Sequence, residues 1–540
     1  MSGWNFADVW EAVAAQHGEA TAQSDGTRQF TWSEFDARAN GIANALLKAG
    51  CQHQEKFTQL LYNVPEYLES VFAAFKAGLV PVNTNYRYGS NELLQVWEDA
   101  DVTAVVFDSA FIDLCSGLRD KLPIRIWICV MSDGDECPSW AVSYEDAATS
   151  HPARVAGSWG RSGDDLLFLY TGGTTGLPKG VMWAQHDLFR FLEKANRHPL
   201  PEVPSAEEFV AGLQRLGPRI LPGAPLMHGT SLFFALPVLS EGGSAHTSPK
   251  RHFDAGEFLD FMETHGIQGT SIVGDAFARP IVEELDHQSR QRDLSRMRVI
   301  LSAGVLFSAD IKERLIQYMP KVVILDGLGS SETGTLASTL SKAGEVSPSG
   351  KFFLGDEAFL IDDDGKRIEP GSGEVGRMAV AGLAPLGYYK DPKKSAETFI
   401  EIDGERYTIS GDWAEASFDG SVRFLGRGSS CINTGGEKVY PEEVEEVIRR
   451  RSDIKDVAVV GVPDERFGEV VTALIESSSE HFAGEEVLRS YVRESLAGYK
   501  VPKHIIRVDS LGRTANGKID YKVLKALAAN AVAASSRPTK

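Results

Sequence analysis

A chain of 540 residues exceeds what one hydrophobic core can hold, so two or more domains are expected. With 43% hydrophobic and 24% charged residues, it is neither a disordered nor a fibrous sequence. A formal net charge of −20 leaves no basic footprint for phosphate backbones or anionic lipid, so no nucleic-acid partner is expected.

The first ten residues hold no basic, apolar leader. Up to about residue 330, apolar runs that read as strands (103–107, 124–130, 166–169, 271–273, 299–302 and 322–325) alternate with amphipathic helical stretches such as 67–76 and 257–264. That alternation predicts an α/β fold whose mainly parallel sheets are covered on both faces. Residues 341–350, rich in Ser and Gly, read as a loop. From about 355 to 426 the hairpin signals Asp363-Asp364-Gly365 and Asp419-Gly420 predict a small antiparallel barrel or meander. A compact α+β unit is expected from about residue 430. Its first helix starts at Pro441, with acids in the first turn, Arg449, Arg450 and Arg451 in the last, and Val444, Val447 and Ile448 on one face. Strands at 457–462 and 470–475, a helix at 485–496 and a strand at 505–508 follow. The last dozen residues, rich in Ala and Ser, are expected to fray.

Five scattered cysteines, Cys51, Cys115, Cys129, Cys137 and Cys431, form no CxxC pair, so neither a disulfide framework nor a zinc site is expected. They suit a reducing cytosol, and a cytoplasmic location is expected. No apolar run is long enough for an integral membrane segment, and Ser536-Arg537-Pro538-Thr539-Lys540 carries no peroxisomal or lipidation signal.

The segment after strand 166–169 says most about function. Thr171, Gly172, Gly173, Thr174, Thr175, Gly176, Leu177, Pro178, Lys179 and Gly180 put four glycines, three threonines and a lysine into ten residues. Such a loop can turn backbone N–H groups toward phosphate oxygens, with hydroxyls and a cation adding charge-assisted bonds; the same composition also makes ordinary loops. It is not a Walker A loop, because Leu177 and Pro178 separate Gly176 from the lysine. The nearer spacing from Gly512 to Lys518 fails at Ile519 and leaves too little chain for a βαβ core.

The loop resembles the phosphate loop of adenylate-forming enzymes, the superfamily of acyl-CoA synthetases, adenylation domains and firefly-type luciferases, and meets that pattern at every position. Further segments resemble the superfamily in the same order, so that the likeness runs from about residue 30 to 525. The resemblance implies a large N-terminal domain, residues 1–427, of two αβ sandwich subdomains plus a small β-barrel. It implies a small mobile α+β C-terminal lid domain, residues 428–540, with a hinge about 427–430 at Gly428 and Ser429.

Residue by residue, the loop would bind ATP through Thr171–Gly176 and Lys179. Asp326, Gly327, Leu328, Gly329, Ser330, Ser331 and Glu332 resemble the segment that lies against adenine and whose glutamate helps hold magnesium. Thr174 and Glu332 are the implied metal ligands, since magnesium takes oxygen donors. Leu328 replaces the usual aromatic, which removes its stacking on the base. Asp412 and Arg427 resemble the residues that reach the ribose. Pro225-Leu226-Met227-His228-Gly229 resembles a wall of the acyl pocket, completed by Val273, Gly274, Ala303, Gly304 and Gly329; as a residue type, His228 is also an ordinary strand-end histidine. Gly435, Gly436 and Glu437 resemble the turn that borders coenzyme A. Lys518 matches the catalytic lysine, and with Glu332, Thr174 and His228 makes up the implied catalytic set. A lysine so near the C-terminus would otherwise be merely solvated.

The implied activity is that of an acid–CoA ligase (AMP-forming), with ATP, Mg2+ and coenzyme A as cofactor and co-substrates. A carboxylic acid would be converted to acyl-AMP and pyrophosphate, then transferred to coenzyme A. Two alternatives stay open on sequence alone: a stand-alone adenylation enzyme loading a separate carrier protein, and a non-catalytic nucleotide-binding relative, favoured only by the departures at Leu328, Ser429 and Ser430. The chain looks most like bacterial fatty-acid and sterol side-chain acyl-CoA synthetases. Small residues in the implied pocket leave room for a bulky fatty or steroid acid, although glycines equally serve backbone turns. A homo-oligomer is compatible with the sequence, which does not decide it.

Overall fold

The computed structural model describes residues 3–132, 134–171, 178–194, 199–287, 291–305, 307–402, 404–427, 432–434, 437–464, 467–477, 482–496, 498–514 and 519–535. They fall into two units, Met1–Ser349 with Val380–Thr408, and Gly350–Ala379 with Ile409–Lys540.

The first unit is built on two sheets, as the strand–helix alternation predicts. In one, Lys56–Leu60, Val80–Asn83, Val102–Asp108, Ile126–Val130 and Leu166–Thr171 are parallel, and Lys179–Ala184 adds an antiparallel strand beside Leu166–Thr171. In the other, Thr21–Ser24, Ser244–His246, Arg219–Pro222, Gly269–Ile272, Val299–Ala303 and Val323–Ser330 are parallel, with Gly334–Ser341 antiparallel to the last. Parallel strands bury both faces, which is why they read as unbroken apolar runs. Helix Pro65–Ala77 is buried along its whole length, with proline in its first turn and left-handed Gly78 (φ 69°) as its C-cap. A helix apolar on one side only would not survive there. Its Phe72 and Phe75 pack on Trp10, with ring centroids 5.1 and 6.1 Å away. Its one lysine, Lys76, has no exposed side-chain surface and meets Glu11 and Asp36 at 2.6 Å each.

In the second unit both expected hairpins are present. Asp363–Gly365 joins antiparallel Ala358–Ile361 and Arg367–Ile368, and Asp419-Gly420 joins Glu405–Ala416 to Val422–Arg427. The boundary expected at 427–428 lies inside this unit, and residues 428–430 of its hinge lie outside the described residues. Further along, Ile454–Asp464 and Gly468–Ser477 form a long antiparallel hairpin. Alternate residues face opposite ways. Val457 and Val459 pack with helices Pro441–Arg449 and Glu485–Ser495, whereas Ala458, Val460 and Val462 pack with Leu524 and Ala528. Those last two residues correct one expectation. Tyr521–Ser535 is a helix, and most of the stretch expected to fray belongs to it because burial of Leu524 and Ala528 anchors that helix to the sheet.

Candidate functional site

Strands Leu166–Thr171 and Lys179–Ala184 pair so that Thr171 lies opposite Lys179 and Tyr170 opposite Gly180. The loop is therefore a hairpin connection, closed at its base by a ladder. Gly172, Gly173, Thr174, Thr175 and Gly176 themselves lie outside the described residues. Gly180 is required by packing: a Cβ there would sit 2.6 Å from the Tyr170 ring. Tyr170 in turn donates its hydroxyl to Asp99 at 2.6 Å, and burial and that carboxylate raise its pKa. The amide of buried Asn83 ties the same strand end down. It accepts from the Tyr170 N–H at 2.6 Å and donates to the carbonyls of Tyr170 at 2.8 Å and Met227 at 2.7 Å.

Glu332 sits at the tip of a second hairpin, between Val323–Ser330 and Gly334–Ser341. Gly329 permits the tight return, since a Cβ there would collide with the carbonyl of Gly334. The Ser331 carbonyl accepts from Trp183 Nε1 at 2.9 Å, which ties this tip to the strand after the phosphate loop. Tyr388 donates its hydroxyl to Glu332 Oε1 at 2.7 Å, and among the described residues Oε2 has no hydrogen-bond partner. One carboxylate oxygen left open fits a hard cation that takes its other ligands from phosphate and water. Lys179 is ion-paired with Asp391, which lies below the usual carboxylate range because of it. Asp326, in contrast, turns its carboxylate inward to buried Lys312 at 2.7 Å; burial raises its pKa and the lysine partly offsets this. Leu328 and Ser330 are half-buried on the same strand, beside Gly327.

The expected acyl-pocket residues cluster at the C-terminal ends of parallel strands, where open α/β sheets form their crevices. Val273 and Gly274 follow Gly269–Ile272. Ala303 ends the neighbouring strand opposite Gly327, and Gly304 follows. Val273 is buried, and a Cβ on Gly304 (φ 94°) would lie 3.8 Å from its Cγ1. The Gly274 N–H donates to Ser302 Oγ at 3.0 Å. Met227 is buried, and half-buried His228 is the N-cap residue of helix Gly229–Ser240.

In the second unit the register pairs buried Asp412 with Arg427. Glu442 packs against Gly426 one position earlier, where φ of 101° and the absence of a Cβ make room for it. Burial, then the charge of Glu445, pushes the Glu442 carboxyl up to about 8, and Asp412 adds to the shift. Gly428, Ser429, Gly435, Gly436 and Lys518 lie outside the described residues, and of Glu437 only the backbone is described.

Residues 10–389 match the family model of the AMP-binding enzyme, and residues 443–518 match that of the AMP-binding enzyme C-terminal domain. The chain belongs to the AMP-binding enzyme family. This AMP-binding enzyme is 37% identical over 532 residues to the 3-oxocholest-4-en-26-oate–CoA ligase of Rhodococcus rhodochrous, covering 96% of this chain and 95% of the relative. It is 36% identical over 528 residues to the medium/long-chain-fatty-acid–CoA/3-oxocholest-4-en-26-oate–CoA ligase of Mycobacterium tuberculosis, with the same coverage. The crystal structure of the anthranilate CoA ligase AuaEII in complex with anthranoyl-AMP shares its fold, with a TM-score of 0.83 over 99% of both chains at 24% identity. Among the described residues, no helix of this AMP-binding enzyme is long and apolar enough to cross a membrane.

Four residues of the site escape the sequence reading: Asn83, Trp183 as a donor, Tyr388 and Asp391. Each acts across 56 or more positions of chain. The one local signal is at Asn83, a polar residue that breaks an otherwise apolar strand, Val80–Asn83.

Proposed function

We propose that this chain is an AMP-forming acid–CoA ligase acting on medium- to long-chain fatty acids or steroid side-chain acids. The observation that carries this reading is its likeness, over nearly its whole length, to ligases named for those acids. The hairpin that brings Lys179 and the Glu332 tip onto tied elements supports it. The small residues Gly274, Ala303 and Gly304 at the strand ends are compatible with a bulky acid.

The chemistry is in-line attack by a carboxylate on the α-phosphate of ATP, a step that needs positioning and charge neutralisation more than covalent help. Thr171–Lys179 hold the β- and γ-phosphates, and Asp412 and Arg427 hold the ribose. Glu332 and Thr174 would hold magnesium, which would supply charge neutralisation for the phosphates. Lys518 offsets the repulsion between carboxylate and α-phosphate. A unit charge at ~4 Å with an effective dielectric of ~20 contributes about 4 kcal/mol, or roughly 10³ in rate. After pyrophosphate leaves, residues 428–540 turn about 427–430, withdraw Lys518 and bring Gly435, Gly436 and Glu437 to coenzyme A. Its thiol attacks the anhydride and AMP departs.

The test is pyrophosphate release with Mg-ATP across acetate, benzoate, fatty acids of increasing length and steroid side-chain acids, with and without coenzyme A. CoA-dependent turnover on the long or steroid acids is expected. Acyl-AMP that accumulates without thioester would replace coenzyme A by a carrier protein as acceptor. With the preferred acid, Lys518→Ala should lose about 10³ in adenylation while thioester formation from preformed acyl-AMP is mostly spared. Equal loss in both half-reactions removes Lys518 from its role.

A further inference from the structure

Residues 386–391 are pinned to the strand that leaves the phosphate loop. Gly387 and Tyr388 pair with Met182 and Val181, the Leu386 N–H donates to the Met182 carbonyl at 2.7 Å, and the Tyr389 N–H donates to that of Gly180 at 2.8 Å. Ser395 Oγ accepts from the Tyr388 N–H at 2.8 Å and donates to the Asp391 carbonyl at 2.7 Å, so the following helix, Pro392–Thr398, braces the segment from behind. From this one braced segment two side chains reach the two charges of the candidate site. Tyr388 holds Glu332, and Asp391 holds Lys179.

We propose that Tyr388 is the positioning residue that presents Glu332 to magnesium bound with ATP, and that Asp391 keeps Lys179 in place until nucleotide phosphate displaces it. The inference rests on the ligase reading and deepens it. A phenol donating to Oε1 stops the carboxylate from rotating and leaves Oε2 for the cation. Partners that orient a ligand in this way typically contribute about 10- to 100-fold to metal affinity. Asp391 divides its work between two oxygens. Oδ1 accepts from the Lys394 N–H at 2.9 Å and caps the helix, while Oδ2 meets Lys179. Lysine can therefore leave without unwinding the helix. The pair is partly open to water, at 39% and 31% side-chain exposure, so a multiply charged phosphate can compete for the lysine.

Calorimetric titration of the full chain with ATP, with and without magnesium, tests both halves. Tyr388→Phe keeps the ring in its packing and removes only the hydroxyl. It should bind metal-free ATP within about twofold of the parent and lose about tenfold of the affinity that magnesium adds. Equal loss with and without magnesium would mark Tyr388 as structural and overturn the proposal, as would no loss in either. Asp391→Asn keeps the helix cap and frees Lys179. Metal-free ATP should bind it about threefold more tightly, the gain expected from removing a weak exposed competitor; unchanged or weaker binding overturns the second half. A parent protein that binds no Mg-ATP would overturn the ligase reading itself, whereas a binding parent with unaltered variants overturns only this inference.

Discussion

Lys76 and Lys179 make ion pairs of the same chemistry in two very different settings. Lys76 has no exposed side-chain surface and two carboxylates at 2.6 Å; Lys179 is 39% exposed and has one carboxylate. Around Lys76, burial lowers the lysine pKa and Asp36 and Glu11 pull it back, while Arg161 and Lys76 hold Glu11 down to about 2 against its own desolvation. That group is a closed account of charge inside helix packing. The pair at Lys179 spends little on desolvation and so can exchange one anion for another. Burial turns an ion pair into architecture, and exposure keeps it available to a ligand.

The comparison breaks most easily at Lys76. Lys76→Ala leaves Asp36 without its cation and Glu11 with Arg161 and Arg154 alone, and should cost about 3–5 kcal/mol of stability, read as a lower denaturant midpoint, with activity per folded molecule unchanged. Lys179→Ala should do the reverse: stability within about 0.5 kcal/mol, and kcat/KM for ATP lower by the worth of a charge-assisted bond, about 1.5–3 kcal/mol. A large stability loss there would place Lys179 with Lys76. Asn83→Ala strands a buried N–H and two carbonyls and should lose about 1–3 kcal/mol. Because it joins Tyr170 to Met227, it should raise KM for both ATP and the acid, where a purely structural residue would lower only the amount of folded protein.

The last test is of pH, at Glu442. Its carboxyl keeps a proton up to about pH 8 in the folded chain, against 4.5 as its ordinary value. A raised carboxyl pKa contributes stability in full below the unfolded value and loses it as pH rises through the folded one. The melting temperature should therefore fall between about pH 5 and about pH 9, and Glu442→Gln should flatten that slope. A slope identical in the variant would assign the pH dependence to other groups.

What the sequence reveals and what it hides follow the same division. Apolar runs such as 103–107 and 299–302 mark strands because both faces are buried, and helix 441–449 declares itself through its charged ends and apolar face. The expected phosphate loop stands out in the sequence because its residues are contiguous, and the ladder that closes its base is present. Tyr388 does not stand out, since an aromatic beside glycine in a short strand looks like packing until Glu332, 56 residues away, is brought to it. The expectation of a frayed C-terminus is corrected over 529–535 for a related reason: an alanine-rich stretch looks weak until the sheet that buries Leu524 and Ala528 in the same helix is known. Contacts made across long stretches of chain leave no spacing to read.

The ladder beneath the phosphate loop also governs which insertions and deletions the gene can tolerate. Side chains on a strand alternate faces, so one codon added between Lys179 and Ala184 would flip the outlook of each residue on one side of it relative to the partner strand. One added between Thr171 and Lys179 would only change the size of the loop, leaving the paired residues opposite each other. Length variation in homologous genes should therefore be absent from the stem.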